Sequence, residues 1–405
     1  MPIRDLLQHR TRAGAHPAAI GALATSAFVY VTAETLPVGL LPQIARGLSV
    51  SEADVGLLLT SYAAVVAATT IPLTALTMRV PRHRLMAVLV AIFTVSQLAA
   101  SVAPTFLTLA VARLLCALAH GVFWSAIAPA AARLAPPGQA GRATSLVFLG
   151  NSLALVLGLP LSTALGQLAG WRVASAVLAL AGGLSTGALV LVLPPLPASA
   201  ADLATGTGQR IRTAATVIGS PAVAQVCAVT AVLVIGQFAA YTYIAPLVRR
   251  DAGLDGLALS ALLLGYGLLG LLANVLVGHA VDRRPGAVLT TCIAAVATAL
   301  TVLGFTHSTV LTVLAVLGWG AGFTAAPVCL QSAILRVARS AQDAASAVYV
   351  VAFQIGIGGG ALLGDRFVVA GRLGDLPVLG AVLAVAAGVI VLAGRAAFGA
   401  PVPTR

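Results

Sequence analysis

Apolar residues in this chain come in long unbroken runs. They span approximately 19–45, 55–77, 84–101, 105–130, 143–166, 171–193, 222–248, 257–281, 286–305, 310–333, 343–364 and 375–396, with short breaks between them that carry arginine, proline or glycine. Runs of roughly 18 to 25 residues match a hydrocarbon core about 30 Å thick, so the pattern predicts twelve transmembrane helices. A backbone in lipid must satisfy its own hydrogen bonds, and a membrane barrel would show ten-residue segments of alternating polarity instead. The internal glycines fit this reading, because small residues let membrane helices approach closely. One break is longer and polar, the Pro/Gly-rich Pro194–Pro221. It divides six runs from six and predicts an N-terminal half (1–193), a linker (194–221) and a C-terminal half (222–405).

The halves repeat each other. An offset of 204 residues lays LLLTSY (Leu57–Tyr62) on ALLLGY (Ala261–Tyr266), Arg79 on Arg283 and Pro81 on Pro285. An offset of 198 lays Pro129 on Pro327. Duplication of six spans is the mark of secondary transporters that rock two bundles about a mid-membrane site. The expected fold is therefore all-α and membrane-embedded, with two pseudo-symmetric six-helix halves.

Composition agrees. Only 8% of the 405 residues are charged and 60% are hydrophobic, too little polar surface for a globule in water. The net charge of +12 sits in loops and reads as an orientation signal, not as a nucleic-acid footprint. With the N-terminus inside, sixteen arginines fall on the cytoplasmic side: 4, 10, 12, 79, 82, 84, 133, 142, 210, 212, 283, 284, 336, 339, 395 and 405. Six fall outside (46, 172, 249, 250, 366 and 372) and Arg113 lies within a span. Both termini are thus expected in the cytoplasm. The first apolar stretch runs beyond signal-core length and is expected to be retained. Cys116, Cys227, Cys292 and Cys329 lie in apolar spans without metal-ligand spacing, so neither disulfide nor metal is expected. The chain has no lysine and no GxxxxGK[ST] loop, which excludes ATP as an energy source within it.

Several stretches resemble the major facilitator superfamily. Gly278-His-Ala-Val-Asp282-Arg283-Arg284, between spans eight and nine, matches that family's G-x-x-x-D-R loop. The corresponding loop Thr74-Ala-Leu-Thr-Met78-Arg79-Val-Pro-Arg82-His-Arg84 keeps the basic residues without the Gly and Asp. Both loops equally suit orientation by positive charge. Three stretches look like the drug–proton antiporter branch, and within it the bacterial sugar-efflux group of arabinose and thiogalactoside exporters. They are Thr32-Ala-Glu34-Thr-Leu-Pro37-Val-Gly39 in span one, Arg113-Leu-Leu-Cys-Ala-Leu-Ala-His120-Gly121-Val-Phe123-Trp124-Ser125 in span four, and Gly158-Leu-Pro160-Leu-Ser162 in span five. The resemblance implies gating at Gly278, Asp282 and Arg283, and helix bending at Gly158 and Pro160.

Proton coupling needs a titratable group inside the membrane. Of eleven acidic residues only Glu34 lies deep in a span. A charge there costs at least about 2.5–3.5 kcal/mol, so it should face a cavity or a partner. The alternative is a permanently protonated helix contact. Tyr30, one turn below at i−4, is a candidate hydrogen-bond partner. Arg113 cannot deprotonate and also needs a counter-charge. At about 1.5 Å per residue, Glu34 and Arg113 lie roughly 16 and 12 Å from the outer ends of their helices, so we expect a Glu34–Arg113 couple; a static Arg113 capping backbone carbonyls is the other reading. His120 and Trp124 follow Arg113 at i+7 and i+11 on one stripe, as a proton relay and a stacking surface or as helix packing. Asn151, Gln237, Tyr241, Asn274 and Gln354 are candidate substrate hydrogen-bonders or helix glue, Asn151 and Gln354 matching at an offset of 203.

These readings converge on a proton-coupled secondary transporter of the bacterial inner membrane that exports a small polar or amphipathic molecule by alternating access. The resemblance puts a sugar first. The alternatives are a chloramphenicol-type drug antiporter, or a symporter or facilitator of the same family. A membrane enzyme would need a catalytic cluster at a span end, and there is none in the sequence. No cofactor or metal is expected; the expected partners are substrate, protons and lipid, around a monomer.

Overall fold

The computed structural model describes residues 16–198 and 219–398, with residues 208, 212, 216 and 217 between them. Most of the linker, together with Arg4, Arg10, Arg12, Arg210 and Arg405, therefore lies outside the described residues. Every regular element among the described residues is helical. The first half holds α1 (Pro17–Leu48), α2 (Glu52–Thr77), α3 (Arg82–Ser101), α4 (Phe106–Leu134), α5 (Ala140–Ala169) and α6 (Trp171–Val192). The second holds α7 (Pro221–Tyr241), α8 (Gly256–Ala280), α9 (Pro285–Phe305), α10 (Thr309–Val337), α11 (Gln342–Val369) and α12 (Leu376–Ala393). Eleven of them are long and apolar enough to cross a membrane, and α2 carries a shorter apolar stretch, Ser61–Thr77.

Boundaries follow local chemistry. Ser51 and Thr105 open α2 and α4 with reciprocal caps, each hydroxyl accepting from the N–H three residues on. The run expected at 222–248 is instead interrupted after Tyr241 and resumes as a short helix, Ile244–Ala252. Pro246 is the reason: it offers no N–H to the Thr242 carbonyl and its ring crowds that carbonyl. In α5, Pro160 likewise cannot bond the Val156 carbonyl. There the helix widens into a π turn over Ala154–Gly158 and continues.

Packing repeats from half to half. In the first, α1 packs on α5 and α6, α2 on α4, and α3 on α4 and α6; adding six to each label gives the packing of the second. The halves meet along two seams related by the same operation, α5 against α8 and α2 against α11, with α4 also touching α11. Leu107, Leu168, Leu191, Phe305 and Val369 are among the large apolar side chains more than two-thirds exposed on the outside of the bundle. So wide an apolar surface requires lipid around it.

Close helix approach rests on glycine. At Gly150 of α5, an added Cβ would overlap the backbone carbonyl of Ala24 in α1, whereas a Cβ on Gly187 of α6 would meet nothing. Gly150→Ala should therefore force α1 and α5 apart at a cost of about 1–3 kcal/mol, the usual range for overpacking. The expected result is a lowered apparent Tm in detergent for Gly150→Ala and none for Gly187→Ala; equal midpoints would show that the α1–α5 contact yields freely.

Candidate functional site

The centre of the first half is built around a proline. Pro37 in α1 has no N–H, so the Ala33 carbonyl one turn earlier lacks its helical partner. Arg113 of α4 fills that place, donating from Nη1 to Ala33 O at 3.0 Å and from Nη2 to Glu34 O at 3.4 Å. Its guanidinium also lies over the Tyr62 ring, 4.9 Å from the centroid. Side-chain contact between Glu34 and Arg113, the expected couple, is absent from the ion pairs of the described residues. The guanidinium spends itself on the backbone of the Glu34 turn because a proline-freed carbonyl is a fixed acceptor at the right depth.

The Glu34 carboxylate points elsewhere. Its side chain is 30% exposed and Oε2 lies 4.0 Å from His120 Nδ1. His120 is buried, and the same Nδ1 makes a 3.0 Å hydrogen bond with the Tyr62 hydroxyl. With Nδ1 unprotonated the tyrosine donates; with Nδ1 protonated the imidazole can donate to Tyr62 or turn toward Glu34. Tyr30 stacks between Phe93 and Phe123 at 4.7 and 4.5 Å, and its buried hydroxyl makes no hydrogen bond, to Glu34 or to anything else described. Trp124 is half-buried against Phe123 and Phe148. Asp251 is buried, but it lies in the short helix after α7, where Arg250 and His307 hold it.

The second half has its own polar centre. Gln237 of α7 is buried, accepting from Trp319 Nε1 at 2.5 Å and donating to the Tyr266 hydroxyl at 3.1 Å; Tyr241 packs on both rings. The Gln237 amide is thus satisfied by protein, while Tyr241 stays half-buried. Asn151 and Gln354 are each half-buried on α5 and α11. Asn274 departs from the expected group. It is fully buried at the α5–α8 seam, where it accepts from the Ser145 hydroxyl and reaches Ser152 at 3.5 Å, a contact between helices in this conformation.

Both seams are latched at their arginine-rich end. Gly278 lets α8 close on Ser145 of α5, and Asp282 accepts from the backbone N–H groups of Gly141 and Arg142 at 2.7 and 3.1 Å, capping the start of α5 from the other half. Arg283 is exposed beside it. At the related seam the polarity is exchanged: Arg82, in the loop lacking the family carboxylate, pairs with Asp343 in the first turn of α11 and donates to the Thr77 and Val80 carbonyls. Gly158 packs on Thr32 of α1, and Pro160 stands exposed just after the π turn it causes. Tyr62, Tyr266, Trp319, Ser145 and Asp343 escaped the sequence reading. Tyr62 and Tyr266 were within reach of it, being paired by the 204-residue repeat.

The profile of the Major Facilitator Superfamily matches residues 23–361. Two Mycobacterium tuberculosis proteins named chloramphenicol efflux pumps, from strains CDC 1551 / Oshkosh and ATCC 25618 / H37Rv, are 44% identical over 353 residues, covering 85% of this chain and 84% of theirs. Among solved structures, the human organic anion transporter MFSD10 superposes with a TM-score of 0.72 over 93% of this chain and all of its own. The Escherichia coli fucose:proton symporter FucP gives 0.73 over 94% and 99%. Both are 15% identical and speak for the fold alone.

Asp282→Ala should uncap α5 across the seam and cost about 1–3 kcal/mol of local stability. Hydrogen exchange over residues 140–145 is then expected to speed up by about tenfold or more, since about 1.4 kcal/mol is tenfold. Unchanged exchange would remove Asp282 from the latch.

Proposed function

The chain belongs to the Major Facilitator Superfamily, and on that premise we propose that it exports an amphipathic drug of the chloramphenicol kind in exchange for protons, by alternating access. As a member of that family it is a multi-pass membrane transporter of a small molecule and not an enzyme. The observation that carries the rest is Glu34: a partly exposed carboxylate in mid-helix, one residue from the carbonyl that holds a permanent guanidinium and 4.0 Å from a histidine. A carboxylate placed there, inside the membrane and partly open, is the kind of group that proton-coupled transport uses.

Chloramphenicol pumps at 44% identity support a drug over the sugar that the sequence resemblance put first. Trp124 and Tyr241 offer half-buried rings to an aromatic substrate, while Asn151 and Gln354 offer amides to its hydroxyl and amide groups. The sixteen-to-six arginine bias supports an orientation with both termini in the cytoplasm of a bacterial inner membrane, and in that orientation a conformation latched at the arginine-rich end faces outward. The halves, 1–193 and 222–405, rock as bodies about the 194–221 linker in a monomer that binds no nucleic acid. A proton from outside neutralises Glu34 while drug leaves; drug loaded from the cytosol then competes with the proton. One proton against one neutral drug moves a net charge inward, so an inside-negative potential speeds export, by about 2.3 kcal/mol per 100 mV.

In proteoliposomes with an imposed pH gradient and a panel of phenicols and sugars, Glu34→Gln should retain drug counterflow and lose gradient-driven accumulation. Undiminished driven transport by that variant removes Glu34 from coupling, and driven transport of sugars alone removes the drug reading. Arg113→Ala should insert normally but lower transport about 100-fold or more, losing a charge-assisted contact of about 1.5–3 kcal/mol together with its field at Glu34. Normal rates would leave Arg113 a structural cap.

A further inference from the structure

The second half holds a neutral counterpart of the Glu34 turn. At the offset of 203 residues that pairs Asn151 with Gln354, Glu34 of α1 falls on Gln237 of α7, and at 204 Tyr62 of α2 falls on Tyr266 of α8. In the second half the two side chains are bonded, Gln237 Nε2 donating to the Tyr266 hydroxyl at 3.1 Å. Trp319 fixes the sense of that bond, because its indole N–H can only donate and so takes the amide oxygen. In the first half the corresponding side chains meet a common neighbour instead: His120 Nδ1 stands 3.0 Å from the Tyr62 hydroxyl and 4.0 Å from Glu34 Oε2. The difference is chemical. An ionised carboxylate has no proton to give to a hydroxyl, whereas a protonated one presents one acceptor oxygen and one donor, as an amide does.

We propose that Tyr62 is the positioning residue of proton coupling: once protonated, the Glu34 carboxyl takes up the arrangement of Gln237 and donates to the Tyr62 hydroxyl. The proposal rests on Glu34 as the coupling group and adds where its carboxyl goes. The incoming proton stays on Glu34. Tyr62 accepts from it and keeps its own proton toward His120 Nδ1, so no other group changes charge. The ionisable groups around the carboxyl are Arg113, Cys116 and His120 on α4, Tyr62 on α2 and Tyr30 on its own helix. Arg113 grips the turn by its carbonyl oxygens, so the backbone stays fixed while the side chain, 30% exposed, has room to turn. Protonation thereby ties α1 to α2, a tie that α7 and α8 keep permanently through the amide. Because α2 also meets α11 across a seam, the new bond carries the protonation of one half to its boundary with the other.

Infrared difference spectra between acid and alkaline pH, taken on the full chain in proteoliposomes, test this directly. A carboxyl C=O band that vanishes in Glu34→Gln belongs to Glu34. Tyr62→Phe, which removes one oxygen, should shift that band, and Tyr266→Phe should leave it in place. In the same liposomes Tyr62→Phe should lower gradient-driven chloramphenicol accumulation about tenfold relative to counterflow, the equivalent of about 1.4 kcal/mol. Unfolding midpoints add a second readout. Glutamine at position 34 brings the amide donor of the second half to Tyr62, so Tyr62→Phe should lower the midpoint further in the Glu34→Gln background than in wild type at alkaline pH. A band unmoved by Tyr62→Phe, or equal midpoint losses in the two backgrounds, while Glu34→Gln abolishes driven transport, overturns the role of Tyr62 and leaves Glu34 as the coupling group. Undiminished driven transport in Glu34→Gln overturns both.

Discussion

A polypeptide in hydrocarbon has no water to satisfy its backbone, and every carbonyl left open must be closed by the protein. Helices answer that constraint, and the places where proline breaks it are where this molecule becomes interesting. Pro37 opens the Ala33 carbonyl, and Arg113, buried in mid-helix, closes it. That contact holds a fixed positive charge beside Glu34, an acid far from either end of its helix, without neutralising it by direct pairing. Pro160 opens Val156, and the helix answers with a π turn packed against Gly267 of the other half. Pro246 opens Thr242, and α7 ends.

Alternation needs two states of similar free energy, which limits how strongly either end can be fastened. The two seams at the arginine-rich end meet that need with a few charge-assisted contacts near water. Asp282 on the start of α5 and Arg82 on Asp343 sit where solvent can replace them as the halves part. The deeper seam contacts are small or neutral, Gly278 on Ser145 and Ser145 on Asn274, and can slide. Exchanging the sign of the latch between related seams breaks the twofold symmetry: Asp282 caps the start of α5, whereas Arg82 pairs with Asp343 at the start of α11.

Much of this was legible from residue order. Run length and apolarity are one-dimensional quantities, so the helix count, the six-plus-six repeat and the isolation of Glu34 and Arg113 could be read directly. The depth of those two residues was also legible, since rise per residue is constant. Their bonding was not. Whether a guanidinium meets a carboxylate or a carbonyl depends on the rotation of two helices about their axes, which neither sequence carries alone. For the same reason the sequence left Asn274 open between substrate ligand and helix contact, and only the fold put it in the seam beside Ser145, while Tyr62, an unremarked member of a repeat, became the partner of His120.

Sequence by itself determined that this chain lives in lipid, folds as twelve helices in two related halves, and holds a lone acid and a lone arginine at matching depth. Tertiary structure alone decided that the arginine serves the backbone, that the acid looks toward His120, and that one seam is latched by an aspartate on backbone N–H groups and its counterpart by an arginine–aspartate pair. The physical reason is that composition and spacing set which groups lipid forbids to stand alone, whereas the choice among available partners is made by helix rotation and packing across distances that the chain order does not encode.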